Sequence, residues 1–365
     1  MTKIAIIGVG GRTGTMFTFE LRNSAEILGV GRKEEVQKVQ EGKIYLQREK
    51  GETLRLRGKV IEEEEFNEEI MLESPVVEKQ RAEGERQKPK VSGARVGGFL
   101  PDFIFLCVKN PVAPAVNFYY QRIKKEGKIP SLILSQNGIS VVEEAKKELE
   151  KIFGEKAKEI KIIRVSLFNA ISSEKIDDEI KISYFLPIRL AFGKASGEGE
   201  VKDLKEIFKR ADIKTEELSS EDVKNMEFSK LFTNLVGMAS AAKGLSIEKG
   251  FQDKETFEEE ATVLREYIKV VKKSGGKFLN LKHYPIKFLT FLINFLPLSF
   301  LTVFRKILAK TITKGRGGKE KGTLDEVDYY NGAVIKLGEK FQVETPVNQK
   351  IYQKIKKNVI PRPPL

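Results

Sequence analysis

Lys230 and Asn234 stand four residues apart in the run Lys-Leu-Phe-Thr-Asn-Leu-Val-Gly-Met238. On a helix, that spacing puts both on one face. The positions around them are apolar. An ammonium on such a helix either reaches back to water along its stem or is kept for function. In a buried cleft it can stabilise negative charge and deliver a proton, the work that imidazole does in many enzymes. This chain has one histidine, His283, and one cysteine, Cys107. A Ser-His-Asp triad, a histidine or multi-cysteine metal site and an internal disulfide are therefore not expected. Any chemistry must rest on lysine, carboxylates and amides, with no metal. Cys107 lies inside Phe103-Ile-Phe-Leu-Cys-Val108 and reads as a buried structural thiol.

A second group of residues suits a phosphate-bearing ligand. Gly8-Val-Gly10-Gly11-Arg12-Thr13-Gly14 follows a short apolar run that reads as a strand. A strand turning sharply into a helix lets a pyrophosphate sit on the helix N-terminal amides, and glycine keeps that approach open. The spacing departs from GxGxxG, because Thr13 takes the sixth position. The bland alternative is a structural glycine turn. Gly31-Arg32-Lys33 follows the next apolar run. NAD-binding domains usually place an acidic residue there, whereas two cations suit the 2′-phosphate of NADPH. Val108-Lys109-Asn110-Pro111 and Ser135-Gln136-Asn137-Gly138 each follow a further apolar run. Both fall where open parallel sheets bind ligands, although Asn-Gly is also an ordinary turn and Lys109 alone would be a surface lysine. Glu326 opens a helical pattern and, alone, is most simply a carboxylate favoured by the helix dipole.

These motifs need elements to hold them. Strands over 3–8, 26–31, 103–108, 131–135 and 160–167 alternate with helices near 16–22, 113–126 and 141–153, and 180–192 supplies further strand. The alternation predicts an α/β protein, an N-terminal Rossmann-type doubly wound sheet followed by a C-terminal all-helical domain. The expected division is 1–218 and 219–365, with a helix start at Ser220-Glu-Asp-Val. Residues 43–98 read as a charged insertion, with hairpin strands at 44–46 and 53–57, an acidic run Glu62-Glu-Glu-Glu65 and an exposed loop over 78–95.

Lys and Arg number 65 against 52 Asp and Glu, a net charge of +13. No basic stripe is interleaved with aromatics, so nucleic acid is not an expected partner, and the surplus suits anionic small molecules. No signal peptide is read at the start of the chain, and a cytoplasmic location is expected. Residues 288–304 are almost wholly apolar, near the lower limit for spanning a bilayer, and contain Asn294 and Pro297. Two short helices broken at Pro297 are expected, buried or in a homodimer contact, in preference to a membrane contact.

Taken together and in order, the motifs resemble the ketopantoate reductase (2-dehydropantoate 2-reductase) family. The most specific part is Glu326-Val-Asp-Tyr-Tyr-Asn-Gly332 followed by Thr345-Pro-Val-Asn348, supported by Lys-Leu-Phe-Thr-Asn and Gln-Asn-Gly. The resemblance implies NADPH-dependent reduction of ketopantoate, on the route to pantothenate and coenzyme A. It implies Lys230 and Glu326 as catalytic, Asn234 and Asn137 at the substrate, Asn137 also beside the nicotinamide, and Arg32 and Lys109 around the adenosine phosphate. The chain departs from the family pattern at Val112, at Met238 and in a shortened stretch, 311–325. A different 2-oxo acid, an opine-type reaction, or a non-catalytic NADPH-binding interaction protein stay open beside the leading reading.

Overall fold

Strand β1 (Lys3–Ile7) alternates its side chains between two cores: Ile4 and Ile6 face one, Ala5 and Ile7 the other. A strand buried on both faces is what a doubly wound sheet requires. The structure, a computed structural model, describes residues 1–48, 53–66, 99–124, 128–281, 285–315 and 324–358. After β1 come α1 (Arg12–Leu21), β2 (Glu26–Gly31), α2 (Lys33–Gln40), β3 (Ile44–Arg48), β4 (Thr53–Arg55) and β5 (Lys59–Glu62). Then follow β6 (Phe103–Leu106), α3 (Ala113–Ile123), β7 (Ser131–Leu134), α4 (Val141–Phe153), β8 (Ile162–Leu167), β9 (Ser172–Ile176), β10 (Glu179–Tyr184), β11 (Arg189–Ser196), α5 (Lys202–Arg210) and β12 (Lys214–Leu218).

Eight strands form one sheet in the order β12-β11-β8-β7-β6-β1-β2-β5. All neighbours are parallel except β11 against β8. Met16, Phe17 and Leu21 of α1 and Leu204, Ile207 and Phe208 of α5 cover one face. Val116, Tyr120 and Ile123 of α3 and Val141, Ala145 and Leu149 of α4 cover the other.

Three details differ from the sequence reading. The charged insertion is not separate from the sheet, because β5 pairs in parallel with β2 and becomes its edge. The 44–46 and 53–57 hairpin exists, but β3 also pairs with β10 in a second sheet, β4-β3-β10-β9. The stretch 180–192 is therefore two strands in two sheets, divided at Leu186-Pro187. The loop expected over 78–95 and the histidine at 283 lie outside the described residues.

From Ser219 the chain is helical. Ser219 accepts a hydrogen bond from the Asp222 amide and caps α6 (Ser220–Leu235). Gly237, at φ +97°, ends that run, and α7 (Met238–Ala242), α8 (Ile247–Gln252) and the long α9 (Lys254–Lys273) follow. The apolar stretch forms α10 (Ile286–Phe295) and α11 (Leu298–Val303), with Pro297 capping the second. It continues into α12 (Arg305–Gly315), and α13 (Asn331–Lys340) and α14 (Pro346–Asn358) complete the described chain. Two buried carboxylates on α9 cap other helices. Glu260 accepts from the Gly237 and Ser240 amides, and Glu266 accepts from the Val347 and Asn348 amides and from Asn348 Nδ2. Asn331 donates to Asn348 Oδ1 at 2.9 Å. The Asn-Gly and Thr-Pro-Val-Asn motifs thus pin α13 and α14 to α9.

The break at Pro297 matches the sequence reading; of its two alternatives, burial within the chain is not what the structure shows, and exposure leaves the homodimer contact open. Phe288, Phe291 and Phe295 are 58%, 57% and 63% exposed, and Phe300 and Val303 are 48% and 71% exposed.

Candidate active site

The glycine motif is a close-packed turn at the carboxyl end of β1. Gly8 has φ +87°, and a Cβ there would meet the Cys107 carbonyl at 3.3 Å. A Cβ on Gly14 would stand 2.0 Å from the Gly8 oxygen. The Gly11 amide donates to that same oxygen, and Gly11, as the cap of α1, has no side chain to occupy the helix's first amides. The result is an N-terminal cradle that glycine keeps open, with Arg12 and Thr13 on its rim. Such a cradle fits a pyrophosphate. Burial pushes the Cys107 thiol up to about 12, which leaves it protonated and unreactive at neutral pH.

The strands after which Arg32 and Lys109 stand, β2 and β6, flank β1 on either side. Lys109 is exposed. Arg32 caps α2, and its Nη2 donates to Glu35 Oε1 at 2.7 Å. Glu35 lies over the glycine turn, where a Cβ on Gly10 would meet it at 2.6 Å. Burial, then Glu35 and Glu64, raise the Glu63 carboxyl above its usual range. This end of the cradle therefore carries a cation already paired with a carboxylate.

The other end opens on a cavity of about 190 Å³. Arg12 and Thr13 line it from the glycine turn, Gln136, Asn137 and Gly138 from the end of β7, Arg164 and Leu167 from β8, and Glu227 and Lys230 from α6. Lys230 Nζ donates to the Leu167 carbonyl at 2.9 Å, which holds the ammonium at the end of β8. The lysine stem therefore crosses from the helical half to the sheet. Arg164 is 4% exposed and pairs with Glu227, 6% exposed, at 2.6 Å. It also donates to the carbonyls of Leu134, Gln136 and Gly138, which fixes the loop carrying Asn137. Burial outweighs the pull of Arg164 and holds the Glu227 carboxyl above its usual range. Three cations and one carboxylate line the cavity, so it suits a small anion.

Glu326 reaches the same loop through one residue. Tyr330 Oη donates to Glu326 Oε2 at 2.6 Å, and Asn137 Nδ2 approaches Tyr330 Oη at 3.4 Å. Asn110 Nδ2 donates to the Asn137 carbonyl at 2.7 Å. Asn234 sits one turn beyond Lys230 and does not line the cavity; its buried Nδ2 makes no hydrogen bond among the described residues. Met238 is fully buried in the helical core, and Val112 is fully buried at the start of α3. The shortened stretch before Glu326 falls largely outside the described residues.

Lys230 and Asn137 therefore line one cavity and Glu326 is linked to it, whereas Asn234 is not among its lining residues. The sequence reading passed over Arg164, Glu227, Tyr330 and Glu35. The first two left a signal: Arg164 is a lone cation in an apolar strand, and Glu227 is a carboxylate one turn before Lys230 on an apolar helix. Charges in such places need partners.

Residues 222–359 match the family described as ketopantoate reductase PanE/ApbA C terminal. The match spans the helical half of this chain, which is thus similar to the C-terminal domain of that family. Solved structures extend the likeness to the whole fold. A PanE/ApbA family ketopantoate reductase from Ralstonia eutropha JMP134 superposes with a TM-score of 0.66 at 14% identity, covering 98% of each chain. A D-mandelate dehydrogenase in complex with NADH and anilino(oxo)acetate gives 0.64 at 16% identity, again over 98% of each chain. A 2-dehydropantoate 2-reductase from Geobacter metallireducens GS-15 gives 0.63 at 13%, covering 98% of this chain and 100% of its own. At such identities the likeness is one of fold. Comparison with curated protein sequences finds no match.

Proposed function

We propose that this chain is an NADPH-dependent reductase of a 2-oxo acid, with 2-dehydropantoate as its first candidate substrate and pantoate as the product. The observation that carries the reading is the cavity in which Lys230 and Asn137 meet Arg12 and Thr13 of the glycine cradle. In this reading Gly8, Gly10, Gly11, Arg12, Thr13 and Gly14 hold the cofactor pyrophosphate, Arg32 and Lys109 hold the adenosine phosphate, and Asn137 stands beside the nicotinamide. When bound there, the cofactor would supply the hydride for the C2 ketone of the substrate.

The residues of this chain supply the rest. As negative charge builds on the ketone oxygen, the Lys230 ammonium stabilises it and delivers the proton from Nζ. Arg12 gives the cavity attraction for the substrate carboxylate, while Arg164, engaged by Glu227 and by the carbonyls of the Asn137 loop, holds that loop in place. Glu326 accepts a hydrogen bond from a substrate hydroxyl, and Tyr330 orients it. Asn137 positions the reactants without adding charge. Reduction of another 2-oxo acid is the second reading, favoured by Met238. Its side chain is buried in the core, so it gives the site no second helix amide.

The test is a panel of 2-oxo acids with NADPH and NADH, followed by the loss of nicotinamide absorbance. Turnover of 2-dehydropantoate with NADPH supports the leading reading, and a preference for another 2-oxo acid supports the second. No turnover with any 2-oxo acid contradicts both.

A further inference from the structure

The positive charge of this chain is not spread evenly. Between Glu266 and Glu320 the sequence holds twelve Lys and Arg and no Asp or Glu. Outside that stretch, 53 cations face 52 carboxylates, so nearly the whole surplus of +13 is concentrated there. The same stretch carries seven of the eleven large apolar side chains that are exposed among the described residues. Phe288, Phe291 and Phe295 follow one another at helical spacing on the outer side of α10, and Phe300, Val303, Phe304 and Ile307 continue the ridge along α11 and into α12.

This surface is held in place. Arg265 Nε donates to the Ile293 carbonyl at 2.8 Å, and its Nη2 donates to the Leu296 carbonyl, which fixes the corner between the two helices. Ile286, Thr290, Leu301 and Thr302 are the buried side. Two of those inward positions are threonine while the outward ones are phenylalanine, the reverse of a helix built to face water. Phe291 stacks on Phe295 with centroids 4.8 Å apart, and Lys272 Nζ lies 5.4 Å over the Phe295 ring. Lys287 and Lys306 are exposed beside the ridge.

We infer that this face is a docking surface for an anionic phospholipid bilayer. Aromatic side chains with lysines at their margin match the boundary between acyl chains and acidic headgroups. A second copy of the chain is a poorer occupant, because a symmetric contact would set this cation-rich face against itself. No helix among the described residues is long and apolar enough to cross a membrane, so the contact is one of lying on the surface. The inference is independent of the reaction proposed above.

The experiment is co-sedimentation of the full chain with vesicles of phosphatidylcholine, alone or with about one third phosphatidylglycerol. Partition onto the anionic vesicles should exceed that onto neutral ones by at least about tenfold and should weaken with salt. Phe291→Ser/Phe295→Ser and Lys287→Glu/Lys306→Glu should each lower it by about tenfold or more, with the melting temperature retained, since all four side chains are exposed. Equal partition onto both vesicle types, no partition onto either, or partition unchanged in both variants overturns the inference. So does a dimer that forms through these phenylalanines and does not bind vesicles.

Discussion

Arg164 and Glu227 face each other at 2.6 Å, 4% and 6% exposed, and join the last parallel strand of the sheet to the first helix of the helical half. The pair stands beneath Lys230 and behind the Asn137 loop, so the two halves of the site share one buried contact. Removing one partner strands the other charge, so Arg164→Met alone should cost about 3–5 kcal/mol. Arg164→Met/Glu227→Leu should recover most of that stability, yet leave the loop over 136–138 without its clamp. Urea unfolding of the two variants checks the claim; equal destabilisation of single and double variants contradicts it.

The same pair sets a pH dependence. Glu227 holds its proton more tightly folded than unfolded, because burial raises its carboxyl. The folded state binds more protons, so this group's contribution to stability is greatest at low pH. It is lost as pH rises from the ordinary glutamate value of about 4.3 through the raised one. Glu227→Gln should flatten that part of the stability profile. A profile of unchanged slope in the variant would show that other groups produce it.

The glycine cradle makes a sharper steric prediction. A Cβ at Gly14 would lie 2.0 Å from the Gly8 oxygen, a contact with backbone that no side chain can relieve. Gly14→Ala should destabilise the fold by about 1–3 kcal/mol and spoil cofactor binding with it. A variant with wild-type melting temperature and NADPH affinity would mean that the turn opens freely.

Much of this arrangement was legible in the sequence. Strands β1, β2, β6 and β7 are mainly apolar runs, β8 is one interrupted by Arg164, and the glycine motif marks where the first ends. The edge strands were not legible. Lys214-Thr-Glu-Glu-Leu218 and Lys59-Val-Ile-Glu62 each face water along part of their length and carry too little apolar signal. The second sheet was hidden for another reason: β3 and β10 are far apart in the chain, and no local pattern announces their pairing. In 288–304 nearly every position is apolar, so there is no periodicity to tell the inward face from the outward one. Lys230 and Asn137 could be singled out from residue types, but the Arg164–Glu227 pair depends on two elements meeting.

In the proposed reading, cofactor choice rests on Arg32, which already has a partner. Its guanidinium is held by Glu35, and Glu63 adds a second carboxyl nearby. For a 2′-phosphate to bind, Arg32 must exchange Glu35 for it. Glu35→Gln should therefore raise NADPH affinity about tenfold, and Arg32→Ala should lower it by at least as much, the scale of one charge-assisted hydrogen bond. NADH affinity should change little in either. Calorimetry with both cofactors decides, and a Glu35→Gln variant that binds NADPH no better assigns the phosphate to other groups.

The proposed chemistry rests on the Lys230 ammonium, held at the Leu167 carbonyl on the rim of the cavity. The most direct test is the turnover of Lys230→Met with the 2-oxo acid that the wild type reduces best. The variant should fold and bind NADPH, because the glycine cradle proposed for the cofactor belongs to the sheet. Its turnover should fall by about 10²–10⁴, the scale of removing a general acid. Wild-type turnover in that variant would reduce Lys230 to a packing residue and contradict the assignment of the site.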